Sequence, residues 1–253
     1  MLYYKYLPIR EKENYFENEL LRFTQAADLN DPFECLPRKP QKGEFKDAIE
    51  LIAKKISGDN QRFIEYGLEK FNEQFIEETF NKAYQNINNE VGILSLTKSW
   101  KNSLMWSHYT NSHKGYCVGF NPNHPFFNDF LSQDKKSSRY TKEVVYSDKR
   151  VKIPTTFTEP TLAFEPFLTK STDWKYEEEV RVISTFNLSE KVLKKEPYDI
   201  FLFKVPYDLI SEIILGANID NEAEIKIRAF ASKMNIDIYK AKISNTEFDM
   251  ERE

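Results

Sequence analysis

A short acidic segment in the C-terminal half contains the residues best suited to chemistry. Glu177 and Glu179 stand two positions apart and are followed by Arg181. If a strand has begun by Glu177, alternation sends these three side chains to one face and Val180 and Val182 to the other. Arg181 is then placed to hold Glu179 ionised and oriented. The alternative interpretation is a solvated outer face with an ordinary surface ion pair.

A second motif contains two of the three histidines of the chain, in the run Trp106-Ser107-His108-Tyr109 and in His113-Lys114-Gly115. Imidazole is the usual proton carrier near neutral pH, and sites are often built on loops that enter strands. We therefore expect His108 and Tyr109 to be candidate catalytic residues. The alternative is that both are amphipathic side chains at the edge of a core, with satisfied polar tips.

A third motif, Asn30-Asp31-Pro32-Phe33-Glu34, has the chemistry of a helix start. Asp31 fits the N-cap, Pro32 the first helical position and Glu34 the third position of a capping box. Pro37 and Pro40 follow at once, so such a helix has room for only about one turn. The pattern therefore also suits a positioned loop.

The elements that must hold these motifs predict an α+β protein with a single mixed, mainly antiparallel sheet. Residues of about 44–88 form a helical insertion, and the chain closes with a strand, a helix and a strand. Asn221 and Glu224 are spaced as a capping box for the last helix. The whole chain of 253 residues is expected to be one domain. Strands and helices are expected at Leu2–Leu7, Glu11–Glu19 (helix), Leu20–Thr24, Glu44–Ile56 (helix), Val91–Thr97, Ser103–Tyr109 (helix), Gly115–Phe120, Val144–Ser147, Val180–Thr185, Phe201–Val205, Glu212–Leu215, Asp220–Asn235 (helix) and Ile236–Ile243.

Composition excludes some broad classes. The net charge is −4, so no global field draws in nucleic acid or an anionic membrane. No stretch approaches the roughly 20 apolar residues of a membrane span, and the N-terminus lacks the pattern of a signal peptide. Cys35 and Cys117 are the only cysteines, which suits packed thiols in a reducing compartment. We therefore expect a cytoplasmic protein with no membrane association and with no metal bound at His113 and Cys117.

Taken in order, the motifs resemble a bacterial family of unknown function, DUF2971. The resemblance runs from near residue 3 to about residue 240 and implies no activity. It rests on Tyr3-Tyr4-Lys5-Tyr6, Arg22-Phe23-Thr24, Asn30 to Glu34, Trp106 to Tyr109, His113-Lys114-Gly115, Trp174 to Arg181 and Ile214-Leu215-Gly216.

The chain also resembles the ADP-ribosyltransferase superfamily, whose members place a cationic residue on an early strand and a Glu-x-Glu pair on a late strand. The resemblance implies NAD as substrate, with Glu179 stabilising an oxocarbenium-like state and Glu177 orienting the acceptor. The remaining roles fall to a larger set. It comprises Arg22 or Lys5 at the pyrophosphate, Ser95 and Thr97 or Tyr109 at the middle strand, Tyr109 or Trp106 stacked on nicotinamide, and His108, His113, Lys114 and Arg181 around the site.

Two other functions stay open from the sequence. One is a metal-dependent nuclease or phosphodiesterase, in which Asp31, Glu34, Glu177 and Glu179 converge on a divalent cation. The other is a non-catalytic binding or sensor module with an aromatic-rich contact surface. A small nucleotide is a candidate ligand, whereas the sequence specifies neither a protein or nucleic-acid acceptor nor an oligomeric state.

Overall fold

The computed structural model describes residues 1–10, 14–39, 41, 44, 50, 61–70, 72–152 and 165–253. The chain divides into two compact units. The first unit comprises Met1–Gln25, Val91–Val144 and Asp173–Glu253, and the second comprises Ala26–Glu90 and Val145–Thr172. The expectation that the whole chain forms one domain stays a prediction.

The first unit is built on a nine-stranded sheet, which confirms the predicted mixed, mainly antiparallel core. All of its strand pairs are antiparallel except one, in which strand Ile210–Leu215 pairs in parallel with strand Asp237–Ile243. Across the sheet the strands are β14 (Met250–Arg252), β13 (Asp237–Ile243), β12 (Ile210–Leu215), β4 (Tyr116–Phe120), β1 (Tyr3–Leu7), β3 (Val91–Thr97), β9 (Glu179–Thr185), β6 (Ser138–Glu143) and β5 (Phe130–Leu131).

Alternating side chains of the central strands supply two hydrophobic clusters. In β4, Val118 joins the larger cluster and Cys117 joins the smaller one. In β1, Tyr4 and Tyr6 belong to the smaller cluster, where the ring of Tyr6 meets Trp106 edge-on at 5.1 Å. Because successive strand residues point to opposite faces, the central strands are covered on both sides.

The larger cluster is completed by a second sheet and by the last helix. The second sheet has three strands in the order β10 (Lys191–Leu193), β11 (Ile200–Lys204) and β2 (Leu20–Phe23). The last helix, Asn221–Met234, buries Ala223, Ile227 and Ala231.

The N-cap of this helix is Asp220, whose carboxylate accepts a hydrogen bond from the backbone N–H of Ala223 at 2.9 Å. The predicted capping box of Asn221 and Glu224 is therefore wrong by one position. Glu224 instead pairs with Arg228 and Lys240.

Helices make up much of the described part of the second unit. Its helices are Gln61–Lys70, Glu73–Glu90 and the single turn Glu165–Leu168, and its parallel strands are β7 (Val145–Tyr146) and β8 (Thr169–Lys170). The helices at 61–70 and 73–90 confirm that part of the predicted insertion, whereas the helix predicted at Glu44–Ile56 lies almost wholly outside the described residues. Among the described helices, none combines the length and the apolar character that a bilayer span requires.

Candidate functional site

Strand β9 begins at Glu179, later than the alternation argument requires. Residues Thr172–Glu177 form a 3₁₀ turn, and Glu178 has a left-handed backbone with φ of 44°. Glu177 therefore lies before the strand, and the condition that the strand begins by Glu177 is not met. From Glu179 onward the alternation is confirmed, because Val180 and Val182 belong to the larger cluster while Glu179 and Arg181 point away from it.

Glu179 and Arg181 form a buried ion pair with two hydrogen bonds. Nε of Arg181 donates to Oε1 of Glu179 at 2.8 Å, and Nη2 donates to Oε2 at 3.0 Å. Their side chains are 0% and 3% exposed for Arg181 and Glu179 respectively. The interpretation of this face as a solvated outer face is therefore wrong. The guanidinium fixes both carboxylate oxygens of Glu179 in one plane.

Glu177 connects this strand to the helix Ser103–Tyr109. The hydroxyl of Tyr109 donates to Oε1 of Glu177 at 2.5 Å. Asn102 caps that helix by accepting the N–H of Met105, and the capped helix ends at Tyr109, half-buried beside the smaller cluster. The histidine-bearing motif and the acidic motif, separated by 68 residues, therefore meet in space.

Lys5 supplies a cation to the same part of the first unit. Its Nζ donates to the backbone carbonyl of Ser95 at 2.9 Å. Burial lowers the pKa of Lys5 to about 8, although the nearby carboxylates of Glu179 and Glu177 act to raise it. We refer to Lys5, Tyr109, Glu177, Glu179 and Arg181 together as the acidic centre.

Strand β3, which contains Ser95 and Thr97, lies between the strand of Lys5 and the strand of Glu179. Ser95 is paired in register with Arg181, and Thr97 with Glu179. Thr97 is 1% exposed, and its hydroxyl accepts the N–H of Ser99 at 3.0 Å. Thr97 therefore stabilises the end of β3, whereas the carbonyl of Ser95 positions Lys5.

Arg22 lies on β2 in the three-stranded sheet, where it pairs in register with Leu202. Lys5 lies on β1, next to β3 in the large sheet. The sequence left these two cations as alternatives, and the carboxylates of Glu179 and Glu177 act on the pKa of Lys5.

Trp106 is a core residue. It has no exposed surface, and its indole N–H donates to the carbonyl of Trp100 at 2.7 Å. A ring with no exposed surface cannot stack on nicotinamide, so this predicted role of Trp106 is wrong. Tyr109, which is half-buried, is the aromatic residue of this motif that belongs to the acidic centre, through its hydrogen bond to Glu177.

The two histidines of the second motif occupy different environments. His108 is exposed and lies edge-on to the ring of Tyr109, with 6.3 Å between ring centroids. His113 is half-buried, stacks against Trp106 at 6.3 Å, and has a pKa lowered by burial. Lys114 is exposed. His108 thus contacts Tyr109, which belongs to the acidic centre.

The third motif forms a turn in the second unit. One oxygen of Asp31 accepts the N–H of Phe33 at 2.9 Å, and the N–H of Glu34 donates to the carbonyl of Asp31. Glu34 makes a buried ion pair with Lys170, with 2.6 Å between Oε1 and Nζ. The positioned-loop interpretation is therefore confirmed. The role of Lys170 could not be predicted from the sequence, because its partner Glu34 is distant along the chain.

Metal-ligand geometry is not found among the residues that the structure describes, where no three His, Cys, Asp or Glu side chains are grouped to hold an ion. The described residues thus give the nuclease alternative no geometric support. Both cysteines are buried. Burial raises the pKa of the Cys117 thiol well above its ordinary value, which disfavours the reactive thiolate.

The fold and the acidic centre define a mixed α/β protein with buried charges at the start of a central strand. Residues 105–182 match the model of a family described as a protein of unknown function, DUF2971. This match confirms the resemblance over those residues, which include Tyr109, Glu177, Glu179 and Arg181. No curated protein and no solved structure shows a significant match to the chain.

Proposed function

We propose that the chain is an ADP-ribosyltransferase-like enzyme that consumes NAD at the acidic centre. The observation that carries the proposal is the hydrogen bond between Tyr109 and Glu177, two residues before the oriented carboxylate of Glu179. Together with Glu179 and the nearby Lys5, these residues form a group of a tyrosine, a Glu-x-Glu pair and a cation. These are the residue types that this chemistry uses. The cation is Lys5 rather than Arg22.

Each residue of the acidic centre has a role in this reaction. Nicotinamide leaves with the electrons of its bond to ribose, and an acceptor oxygen or nitrogen forms the new bond to the ribose carbon. Glu179, held by Arg181, stabilises the positive charge that develops on the ribose. Glu177 orients the acceptor and takes its proton. Lys5 attracts the pyrophosphate, and the ring of Tyr109 contacts nicotinamide.

The test is the release of nicotinamide from NAD, with water or with candidate protein and nucleic-acid acceptors. We expect Glu177→Gln to reduce the release rate by about 100-fold or more, in line with the loss of a general base. Glu178→Gln is the matched control, because Glu178 is the exposed neighbour and undergoes the same change of charge. Equal rates in both variants and the wild type, or no release from the wild type, would overturn the proposal.

Burial of the two carboxylates favours a second candidate, the non-catalytic binding module. Glu177 is 3% and Glu179 4% exposed, and such closed polar groups are also found in scaffolds. A thermal-shift titration separates the two candidates, since a ligand at a hundred times its dissociation constant adds about 2.7 kcal/mol to the free energy of unfolding. Stabilisation by NAD that is lost in Lys5→Met, which removes the cation assigned to the pyrophosphate, supports the enzyme, whereas no stabilisation of the wild type supports the module.

The setting of the reaction is part of the same proposal. Two buried cysteines that are far apart in sequence suit a reducing compartment, so we place the enzyme in the bacterial cytoplasm. Protein and nucleic acid are both candidate acceptors, and the nicotinamide assay is run with each.

A further inference from the structure

The second unit contains a cavity of about 250 Å³. Its walls come from three separate stretches of chain, at residues 31–37, 147–151 and 166–171. Sites for drug-sized ligands measure roughly 300 to 1,000 Å³, so this cavity suits a smaller metabolite. All lining residues belong to the second unit, and the cavity is independent of the acidic centre.

Asp31 provides a hydrogen-bond acceptor on the cavity wall. The residue is 5% exposed, and its Oδ1 accepts the N–H of Phe33. Its second oxygen makes no bond within the described part of the chain. The nearby charges of Glu34 and Lys170 neutralise each other, with 2.6 Å between Oε1 and Nζ. A buried carboxylate with a spare oxygen is best satisfied by an ammonium group.

The opposite charge is found on the exposed segment 148–150, which also lines the cavity. The guanidinium of Arg150 is fixed by the carbonyls of Leu36 and Pro37, at 2.9 and 3.1 Å, and among the described residues no carboxylate pairs with it. Lys149 adds a second cation, while Asp148 offsets one of the two. The segment therefore has a net positive charge and attracts a carboxylate.

Apolar side chains also line the cavity. Phe33 is 64% exposed although it stands between the buried Asp31 and Glu34. Leu36 and Pro166 also line the cavity. A large exposed aromatic residue at the edge of a cavity is typical of a ligand contact.

From these three features we infer that the second unit binds a free amino acid with an apolar side chain. Asp31 holds the α-ammonium group, Lys149 and Arg150 attract the α-carboxylate, and Phe33 contacts the side chain. Each part of the ligand thus has a partner of complementary chemistry on the cavity wall.

The experiment is isothermal titration of the full chain with L-phenylalanine and L-leucine. Phenethylamine lacks the carboxylate and 3-phenylpropionate lacks the ammonium group, so each is expected to bind at least about tenfold more weakly than L-phenylalanine. Asp31→Asn keeps the oxygen that bonds to Phe33 and removes the charge, so it is expected to weaken L-phenylalanine binding by at least about tenfold.

The matched control is Asp237→Asn, the same change at an exposed position in the first unit, which should leave the affinity unchanged. The melting temperature of each variant shows that it is folded. The inference is overturned if neither amino acid binds at millimolar concentration. It is also overturned if Asp31→Asn binds as tightly as the wild type, or if AMP binds and the amino acids do not. None of these results depends on whether the protein consumes NAD.

Discussion

At the scale of single residues, the burial of Glu179 and Arg181 decides how their roles are tested. Two charges removed from water lose hydration, and their mutual attraction offsets that loss only while both partners are present. Glu179→Gln leaves the guanidinium of Arg181 buried without this partner. A loss of NAD consumption in that variant therefore does not separate chemistry from folding, and Glu177 is the better position for the activity test.

We predict that Glu179→Gln lowers the free energy of unfolding by about 3 kcal/mol or more. Replacing both members of the pair, with Glu179→Gln and Arg181→Met, should restore part of the loss because neither charge of the pair is then left buried without the other. Urea unfolding at pH 7 measures both values. A loss below about 1 kcal/mol in the single variant would show that the pair is not buried in solution.

Lys5 makes stability depend on pH in a defined direction. Its pKa is about 8 in the folded protein and 10.5 ordinarily, so between these values the unfolded chain binds more protons. The free energy of unfolding then rises with pH across this interval and gains nothing from Lys5 below pH 8.

Lys5→Met removes this contribution. We therefore expect the stability of the wild type relative to Lys5→Met to increase from pH 8 to pH 10, as measured by urea unfolding at several pH values. A difference that stays constant over the same range would mean that the ammonium group is hydrated and has its ordinary pKa.

Some properties of individual residues were predictable from the sequence. Strand alternation alone predicts that Glu179 and Arg181 share one face of β9, opposite to Val180 and Val182. The position of Glu177 does not, because the left-handed backbone of Glu178 turns the chain just before the strand. The burial of Trp106 was also not predictable, since an aromatic side chain suits a core and a ligand site equally well.

At the scale of elements, a left-handed turn joins the helix Ser103–Tyr109 to β4. Asn111, Ser112 and His113 all have positive φ, between 51° and 65°. The N–H of Gly216 donates to the carbonyl of Gly115 at 2.8 Å. The two glycine-containing motifs of the family resemblance thus form one close approach of backbones.

Gly216→Ala is predicted to lower the free energy of unfolding by about 2 to 3 kcal/mol. A Cβ at this position meets the carbonyl oxygen of His113 at 2.2 Å, and backbone cannot move aside as a side chain can. Gly119→Ala is the control, because its nearest contacts are the side chains of Glu212 and Tyr4 at 2.9 Å. Equal losses in the two variants, measured by thermal unfolding, would contradict this account of Gly216.

Element boundaries were predictable where the chain alternates or has clear caps. Val91–Thr97 and Ser103–Tyr109 agree with the structure at both ends. Strand β6 was missed because its sequence SRYTKE has no apolar alternation, and β5 because it has only two residues. These strands are defined by pairing with β9 and with each other, which no local pattern contains.

At the scale of the whole molecule, the order of the strands differs from their order along the chain. Strand β1 lies between β3 and β4, and β9 lies next to β3. This arrangement brings the start of β9 close to Lys5 and to the helix that ends at Tyr109. Sequence patterns predicted that a sheet forms but not which strands are neighbours, since pairing depends on long-range packing.

The two proposed binding sites lie in different compact units. The acidic centre lies in the first unit and the amino-acid cavity in the second. Titration of L-phenylalanine and release of nicotinamide can therefore be measured on the same preparation and give independent answers.

The acidic centre depends most on the contact between distant parts of the chain at Tyr109 and Glu177. The most direct measurement is a double-mutant cycle of Tyr109→Phe and Glu177→Gln, followed by urea unfolding at pH 7. A hydrogen bond to a charged group contributes roughly 1.5 to 3 kcal/mol, so we predict a coupling free energy of about 1 kcal/mol or more. The control cycle pairs Tyr109→Phe with Glu178→Gln and should give a coupling below about 0.5 kcal/mol. If the two cycles give the same small coupling, the acidic centre does not exist as described.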